Sequence, residues 1–200
     1  MRLRLDQQII SDWIPDGAKV LDLGCGNGAL LNHLQQRNIT GYGLEIDNSK
    51  FADCIRAGIN VLQADLDEGL GQFADQSFDF VILSQTLQAI KRPDFLLREI
   101  VRVGKKGIIG FPNFGHWQCR MQLALGGRMP VSKALPNAWF ETPNIHLCTI
   151  QDFEQLCESH KLTVLNHSIV NHEHKDSLGV RLLPNLFGQV AVYLVQQQDS

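Results

Sequence analysis

VLDLGCGNG, at residues 20–28, joins an apolar run of strand length to three alternating glycines and then to a helical pattern. Gly24, Gly26 and Gly28 permit positive φ angles and let a ligand approach the backbone without an intervening Cβ atom. The helix that follows offers free N–H groups and the positive end of its dipole at the same place. Because open α/β sheets bind ligands outside the carboxyl ends of their strands, we expect a nucleotide-like ligand here.

Short apolar runs alternate with helical patterns on both sides of this loop, as in a parallel sheet with crossover helices. The predicted strands are 18–23, 40–46, 60–64, 78–84 and 106–111, with two more near 161–169 and 189–196. The predicted helices are 28–37, 48–57 and one that starts near Pro93. On helix 48–57 the expected inner face is Phe51, Cys54 and Ile55. Right-handed crossovers then favour one fold class: α/β, Rossmann-like and doubly wound, with a mostly parallel seven-stranded sheet.

The pattern changes at Pro112. From there to Cys148 the chain contains four prolines and one short amphipathic helix, HWQCRMQLAL, and such long irregular segments are more often functional than filler. We therefore expect an irregular lid inserted after the fifth strand. Thr149, with Asp152 as the capping acid, predicts a closing helix, and the residues between the last two strands predict a loop. The expected organisation is a single domain, 1–200, with a core at 1–111, a lid at 112–148 and closing elements at 149–200.

The composition excludes several classes of protein. The chain has 200 residues, of which 44% are hydrophobic, so it can form one core and disorder is not expected. A formal net charge of −3 gives no basic footprint for nucleic acid. The five cysteines lack metal-ligand spacing, which predicts a reducing compartment, and no apolar run has the length of a membrane span. We expect a cytoplasmic protein with no nucleic acid, membrane or metal among its partners.

Two classes of ligand fit the glycine loop. Gly24-x-Gly26-x-x-Ala29, with Glu45 about 20 residues later, satisfies the looser dinucleotide fingerprint. Asp22 favours a different ligand, because a carboxylate at the strand end is a poor neighbour for a pyrophosphate and a good acceptor for an ammonium group. A second acid, Asp65, ends the third strand. A nucleotide that carries an ammonium group therefore fits better than a dinucleotide.

The motif D-x-G-x-G-x-G at 22–28, with an acid at the end of the second strand, resembles that of the class I S-adenosylmethionine-dependent methyltransferases. The resemblance covers 1–111 in motif order and the last two strands in pattern. It implies S-adenosyl-L-methionine, or S-adenosylhomocysteine, as the cofactor. The implied cofactor-binding residues are Asp22, Gly24, Cys25, Gly26, Asn27, Gly28, Glu45, Ile46, Asp65, Leu66 and Ser84.

By this resemblance, each acid serves its own part of the cofactor. The glycine loop lies against the methionine and ribose portions, and Asp22 helps to hold the amino group. Glu45 accepts both ribose hydroxyls, which suits a bidentate acceptor. Asp65 with Leu66 faces the adenine, and Ser84 borders the methionine end.

Several of these residues have alternative interpretations. Asp47 competes with Glu45 as the ribose acceptor, although Glu45 is favoured because it ends the apolar strand. Asp65 could instead be a loop acid or a helix cap. Cys25 could be named as a nucleophile, but no base accompanies it, and a small packed side chain is the favoured interpretation.

Four strings, most of them in the second half, are similar to those of the methionine biosynthesis protein MetW family: SQTLQAI (84–90), FPNFGHW (111–117), GGRMP (126–130) and TPNIHLCT (142–149). With the glycine motif they span most of the chain. The resemblance implies a partnership with homoserine O-acyltransferase, the enzyme that acylates homoserine on the route to methionine. The alternative function is methyl transfer to an unidentified small molecule.

No catalytic residue can be assigned from the sequence. SQTL at 84–87 differs from the [ND]-P-P-[YF] that amino-methyltransferases carry after the fourth strand. His116 and His146 are candidate bases in the lid, although a lone loop histidine is more often structural. His172-Glu173-His174 fits no zinc signature, and a solvated loop is the favoured interpretation.

The lid contains many large apolar side chains, with Arg120 and Arg128 among them. They predict either packing over the cofactor or a protein-binding surface, in which Trp, Met and Arg are enriched. The sequence leaves both possibilities open. The apolar residues are Trp117, Met121, Leu123, Leu125, Met129, Trp139 and Phe140.

Overall fold

A seven-stranded sheet forms the centre of the computed structural model, which describes residues 3–171 and 178–198. Its strands are β1 (Lys19–Leu23), β2 (Thr40–Glu45), β3 (Val61–Gln63), β4 (Phe78–Ser84), β5 (Gly104–Pro112), β6 (Leu162–Val170) and β7 (Val190–Gln197). Their order across the sheet is β3-β2-β1-β4-β5-β7-β6. Strands β1 to β5 pair in parallel, whereas β7 is antiparallel to both β5 and β6. The predicted α/β fold with a mostly parallel sheet is confirmed.

Helices cover both faces of this sheet, as a doubly wound fold requires. They are α1 (Leu5–Trp13), α2 (Ala29–Gln35), α3 (Asn48–Arg56), α4 (Pro93–Val103), α5 (Trp117–Gly126), α6 (Ile150–Ser159), α7 (Leu178–Leu182) and α8 (Pro184–Phe187). Successive side chains of β1 point to opposite faces of the sheet, and an apolar cluster lies on each face. Val20 packs in the cluster with α1 and α2, and Leu21 packs in the cluster with α4 and α6.

Local chemistry explains where several elements begin and end. The apolar run at 78–84 becomes β4, most of whose residues are buried, as expected for a strand covered on both faces. Thr149 Oγ1 accepts from the Asp152 N–H, and Asp152 Oδ2 accepts from the Thr149 N–H, at 3.2 and 2.9 Å. This capping box starts α6 as predicted. Gly127 ends α5 with φ of 59°.

Two expectations about secondary structure and burial were wrong. Ile55 does not face the core but is 55% exposed, because α3 covers only the narrow end of the sheet formed by β2 and the three-residue strand β3. Cys54 is the residue of α3 that packs in the core. Residues 178–187, predicted as loop, form α7 and α8, and Val180 of α7 is buried in the apolar cluster that contains Leu21.

His172-Glu173-His174, for which a solvated loop is the favoured interpretation, lies outside the described residues. Among the helices of 3–171 and 178–198, none is long and apolar enough to cross a bilayer. In the same ranges, no three His, Cys, Asp or Glu side chains are grouped as metal ligands.

Candidate functional site

The carboxyl ends of four parallel strands meet at one edge of the sheet. Leu23 at the end of β1 pairs with Leu44 on β2 and with Leu83 on β4, and Glu45 pairs with Gln63 on β3. The residues predicted from sequence to form the site follow these strand ends. They are Asp22 and the 24–28 loop at the end of β1, Glu45 and Ile46 at the end of β2, Asp65 and Leu66 after β3, and Ser84 at the end of β4.

The glycine loop adopts the backbone that its sequence predicts. Gly24, Gly26 and Gly28 have φ angles of 69°, 60° and 75°, a region that L side chains rarely adopt. A Cβ on Gly24 would lie 2.8 Å from Thr86 Oγ1, whereas a Cβ on Gly26 would have no heavy atom within 4 Å. The first glycine therefore allows close packing, and the second presents its backbone to open space.

Cys25 is a packed side chain within this loop. Its Sγ lies 3.9 Å from Cys54 Sγ, and a Cβ on Gly43 would come within 2.5 Å of it, so Gly43 makes the room that Cys25 fills. Burial, with the nearby charge of Asp22, raises the pKa of the Cys25 thiol. The thiol is therefore protonated at neutral pH, which supports the packing interpretation rather than a nucleophile.

Glu45 is buried and holds the backbone of the site together. Its Oε1 accepts from the N–H groups of Ile46 and Asp47 at 3.0 and 2.9 Å, and its Oε2 accepts from the Gly26 N–H at 2.8 Å. A carboxylate offers about four acceptor positions, so about one is left on Oε2. In this geometry Glu45 has room for one hydroxyl group, and a second would have to replace or share the Gly26 bond.

Asp47 has a different role from Glu45. It is exposed, and its Oδ1 accepts from the N–H groups of Ser49 and Lys50 at 2.8 and 3.1 Å, which caps α3. Hydrogen bonds from Ser49 and Lys50 lower the pKa of the Asp47 carboxyl. The sequence offers both acids as the acceptor for the ribose. In the structure Glu45 contacts the glycine loop, whereas Asp47 caps α3.

Asp22 is a buried carboxylate at the end of β1, with only 4% of its surface exposed. Burial raises the pKa of Asp22 to about 7; the charge of Arg4 opposes this shift and the charge of Glu45 adds to it. Within residues 3–171 and 178–198, no hydrogen bond is made to the Asp22 carboxylate. A buried acid with a displaced pKa at a strand end is typical of a functional site.

Arg4 and Asp6 complete this end of the site, and the sequence analysis did not identify either of them. Arg4 binds the buried Asp6 through Nε and Nη2 at 3.1 Å each, and its Nη2 also donates to Ser84 Oγ at 3.2 Å. Ser84 Oγ in turn donates to Asp6 Oδ2 at 2.8 Å. Only the packing of α1 against the end of β4 brings these groups together, so no local pattern could have indicated them.

The residues after β3 form a short helical turn. Asp65 Oδ1 accepts from the Asp67 N–H at 2.9 Å and caps a 3₁₀ turn, which was one of its alternative interpretations. The side chain of Leu66 packs in the core, while Ile46 is 59% exposed at the neighbouring strand end. Asp67 Oδ1 accepts from the Lys91 N–H at 2.8 Å, which ties this turn to the segment after β4.

The two candidate bases both make structural hydrogen bonds. His116 is buried, and its Nδ1 accepts from the Gln118 N–H at 3.4 Å to cap α5. Burial lowers the pKa of His116, so the ring is neutral. His146 is exposed, with Nε2 3.3 Å from the Lys91 carbonyl oxygen. These contacts support the structural interpretation of both histidines.

Most of the apolar side chains between 112 and 148 lie on the surface. Their exposure is what the second interpretation left open by the sequence, a protein-binding surface, requires. The exposed residues are Trp117, Met121, Leu123, Leu125, Met129, Val131, Trp139, Phe140, Ile145 and Leu147.

Comparison with known proteins identifies a family and relatives of this chain. A family model described as "Methionine biosynthesis protein MetW" matches residues 4–195. A bifunctional methionine biosynthesis protein MetXA/MetW from Rhodopirellula baltica is 39% identical over 164 residues, which cover 77% of this chain and 26% of that protein. The chain thus spans about a quarter of the length of this relative.

Solved structures share the fold. A methyltransferase from Archaeoglobus fulgidus, described as SAM dependent, superposes with a TM-score of 0.68 at 16% identity, over 96% of this chain and 94% of that one. An S-adenosylmethionine dependent methyltransferase from Mesorhizobium loti gives 0.70 at 16% identity, over 95% and 96%. At these identities the likeness concerns the fold alone. With the family model matched over nearly its whole length, the chain belongs to the methionine biosynthesis protein MetW family.

Proposed function

We propose that the site at the carboxyl edge binds S-adenosyl-L-methionine, or its product S-adenosylhomocysteine. The observation that carries the proposal is the buried Asp22 carboxylate beside a glycine loop whose Gly26 backbone faces open space. The ammonium group of the ligand would supply the partner that Asp22 needs, because a buried carboxylate is costly without one. Asn27 and Gly28, which complete the loop, would lie along the methionine and ribose portions.

Arg4 supports an amino-acid end on the ligand. The guanidinium group uses Nε and Nη2 on Asp6 and Ser84, which leaves Nη1 without an acceptor among the described residues. A methionine portion carries a carboxylate as well as an ammonium group, and Arg4 and Asp22 match the two charges. A dinucleotide fits less well, because its pyrophosphate would lie against the Asp22 carboxylate.

The remaining contacts concern the nucleoside. Glu45 Oε2 would accept a ribose hydroxyl, and Asp65, which uses Oδ1 as a cap, would accept from the adenine amino group with Oδ2. Leu66 would contribute its backbone rather than its buried side chain. The exposed Ile46 would supply an apolar surface to the adenine.

A calorimetric titration of the chain with three ligands tests the proposal. We expect saturable one-to-one binding of S-adenosylmethionine and of S-adenosylhomocysteine, and no binding of NAD. Binding of NAD with no binding of either sulfur compound would overturn it.

The affinity for S-adenosylmethionine is expected to fall as the pH drops below about 7, the raised pKa of Asp22. The ammonium group is protonated throughout this range and binds the ionised carboxylate, so each pH unit below that pKa lowers the affinity by about tenfold. Titrations between about pH 5 and pH 7 measure the slope. Asp22→Asn should bind weakly, with a much flatter profile, and an equally steep profile in this variant would assign the titration to another group.

We further propose that the chain acts with homoserine O-acyltransferase in methionine biosynthesis. The supporting observation is the MetXA/MetW relative, in which a counterpart of this chain belongs to a bifunctional protein. Such a fusion suits two activities that work together. Size-exclusion chromatography of the two purified proteins should give one peak that contains both, and separate elution at micromolar concentration would contradict the partnership.

Methyl transfer to a small molecule is the second candidate function. One observation favours it: Gln88, just after β4, is buried and its Oε1 has no hydrogen-bond partner among the described residues. A donor group of an acceptor molecule would bind that oxygen once the segment at Ile145 and His146, whose N–H groups bind the Gln88 carbonyl oxygen at 2.9 Å each, moves aside. Incubation with labelled cofactor and cell metabolites should then yield a labelled product, and no S-adenosylhomocysteine above background would exclude this function.

A further inference from the structure

A continuous apolar surface flanks α5, and nothing in the proposed cofactor site uses it. It consists of six side chains, each between 43% and 72% exposed, which we call the apolar patch: Trp117, Met121, Met129, Val131, Trp139 and Phe140. A fully buried aromatic side chain removes about 200 Å², so the three aromatic residues alone expose roughly 370 Å². Contiguous apolar patches of a few hundred Å² mark interaction sites on soluble proteins.

Two grooves join these side chains into one surface. A groove of about 560 Å³ is lined by Trp117, Met121 and Val131, and a second of about 610 Å³ is lined by Val131, Met129 and the two rings at 139 and 140. Val131 belongs to both. Its backbone is fixed to α5 by two hydrogen bonds with the Gln122 side chain, at 3.1 and 3.0 Å.

Two aromatic rings, those of Trp139 and Phe140, are in contact at the far end of the patch. Trp139 and Phe140 meet edge to face with their centroids 5.7 Å apart. A pre-formed aromatic pair loses little conformational freedom when a partner covers it, and Trp, Met and Arg are the residues enriched at the centres of interfaces. The patch therefore has the composition of a binding surface rather than of solvated loops.

The charges around the patch have one prevailing sign. Between 117 and 147 the sequence has three cationic side chains, Arg120, Arg128 and Lys133, and one acid, Glu141, although the whole chain has a net charge of −3. Arg128 lines the second groove and Lys133 the first. A partner that covers the patch must present an apolar centre with an acidic rim.

We propose that the apolar patch is the surface to which homoserine O-acyltransferase binds, through an apolar face with an acidic rim. This inference rests on the partnership proposed above. α5 follows β5 within a few residues of its carboxyl end, so the patch and the cofactor site lie at the same edge of the sheet. A partner bound to the patch would therefore be close to the site that the cofactor occupies.

The test measures the affinity of the full chain for the homoserine O-acyltransferase of the same organism. Trp139→Glu and, separately, Met129→Glu should each weaken binding at least about 30-fold, because both place a charge in the apolar centre. Arg128→Glu should slow association about tenfold and reduce its dependence on salt. Ile55→Glu is the matched control, since it changes an equally exposed apolar residue on α3, far along the chain from the patch, and should bind as the wild type does.

Each variant is first titrated with S-adenosylmethionine to show that the fold and the cofactor site are intact. Binding of both Glu variants with wild-type affinity would overturn the inference while leaving the partnership in place. Failure of the wild-type chain to bind the acyltransferase would overturn the partnership itself. If the patch variants dissociated a dimer of this chain and left acyltransferase binding unchanged, the patch would be a self-association surface and the inference would be wrong.

Discussion

Replacing Glu45 with alanine is expected to weaken the binding of S-adenosylmethionine by more than about a hundredfold. A hydrogen bond to a charged group contributes about 1.5–3 kcal/mol, and the substitution removes the acceptor proposed for the ribose. It also leaves the N–H groups of Gly26, Ile46 and Asp47 without their acceptor, so the glycine loop loses its present position. Calorimetric titration of the variant measures the change.

Asp47→Ala is the matched control for this variant. It removes a neighbouring carboxylate that caps α3, so the protein should be less stable while its affinity for the cofactor stays the same. The opposite pattern, in which Asp47→Ala abolishes binding and Glu45→Ala does not, would place the ribose at Asp47. Loss of binding in both variants would point to damage of the shared strand end rather than to a specific contact.

Replacing Phe111 with alanine is expected to lower the free energy of unfolding by about 3–5 kcal/mol, the usual cost of removing a fully buried aromatic ring. Phe111 has no exposed surface, and its ring centroid lies 4.7 Å from Phe153 of α6 and 6.1 Å from Tyr193 of β7. This aromatic group joins the end of β5 to both closing elements. Urea denaturation monitored by circular dichroism measures the loss.

Tyr193→Phe is the control for that experiment. It keeps the ring in the aromatic group but removes the hydrogen bond from Tyr193 Oη to Glu154 Oε1, which is 2.7 Å long. The expected cost is about 1.5–3 kcal/mol, because the acceptor is a carboxylate, and it is smaller than the loss expected for Phe111→Ala. If Phe111→Ala were no more destabilising than Tyr193→Phe, the aromatic group would not be part of the cooperative core.

Much of the fold follows from local sequence, because its signals are short-range. The run at 78–84 has the length and composition of a buried strand, and β4 has those same bounds. Thr149 and Asp152 form the capping box that their spacing predicts. Helix burial at the narrow end of the sheet was less predictable, because how much of α3 is covered depends on the length of β3 and not on the helix itself.

The residues of the candidate site also differ in how well the sequence predicts them. The glycine loop and Glu45 are recognisable because the chemistry lies within one strand–loop–helix unit. Arg4 and Asp6 are not, because they reach Ser84 only through tertiary packing across nearly 80 residues of sequence. The exposure of the residues between 112 and 148 also depends on what covers them, which composition alone does not determine.

The rate of homoserine acylation tests the central claim most directly. Purified homoserine O-acyltransferase is assayed alone and with increasing amounts of this chain, in the presence of S-adenosylmethionine. We predict that the initial rate changes with added chain, saturates near one chain per acyltransferase subunit, and responds less to the Trp139→Glu variant. A rate that is the same at every concentration of the chain would contradict the proposed function.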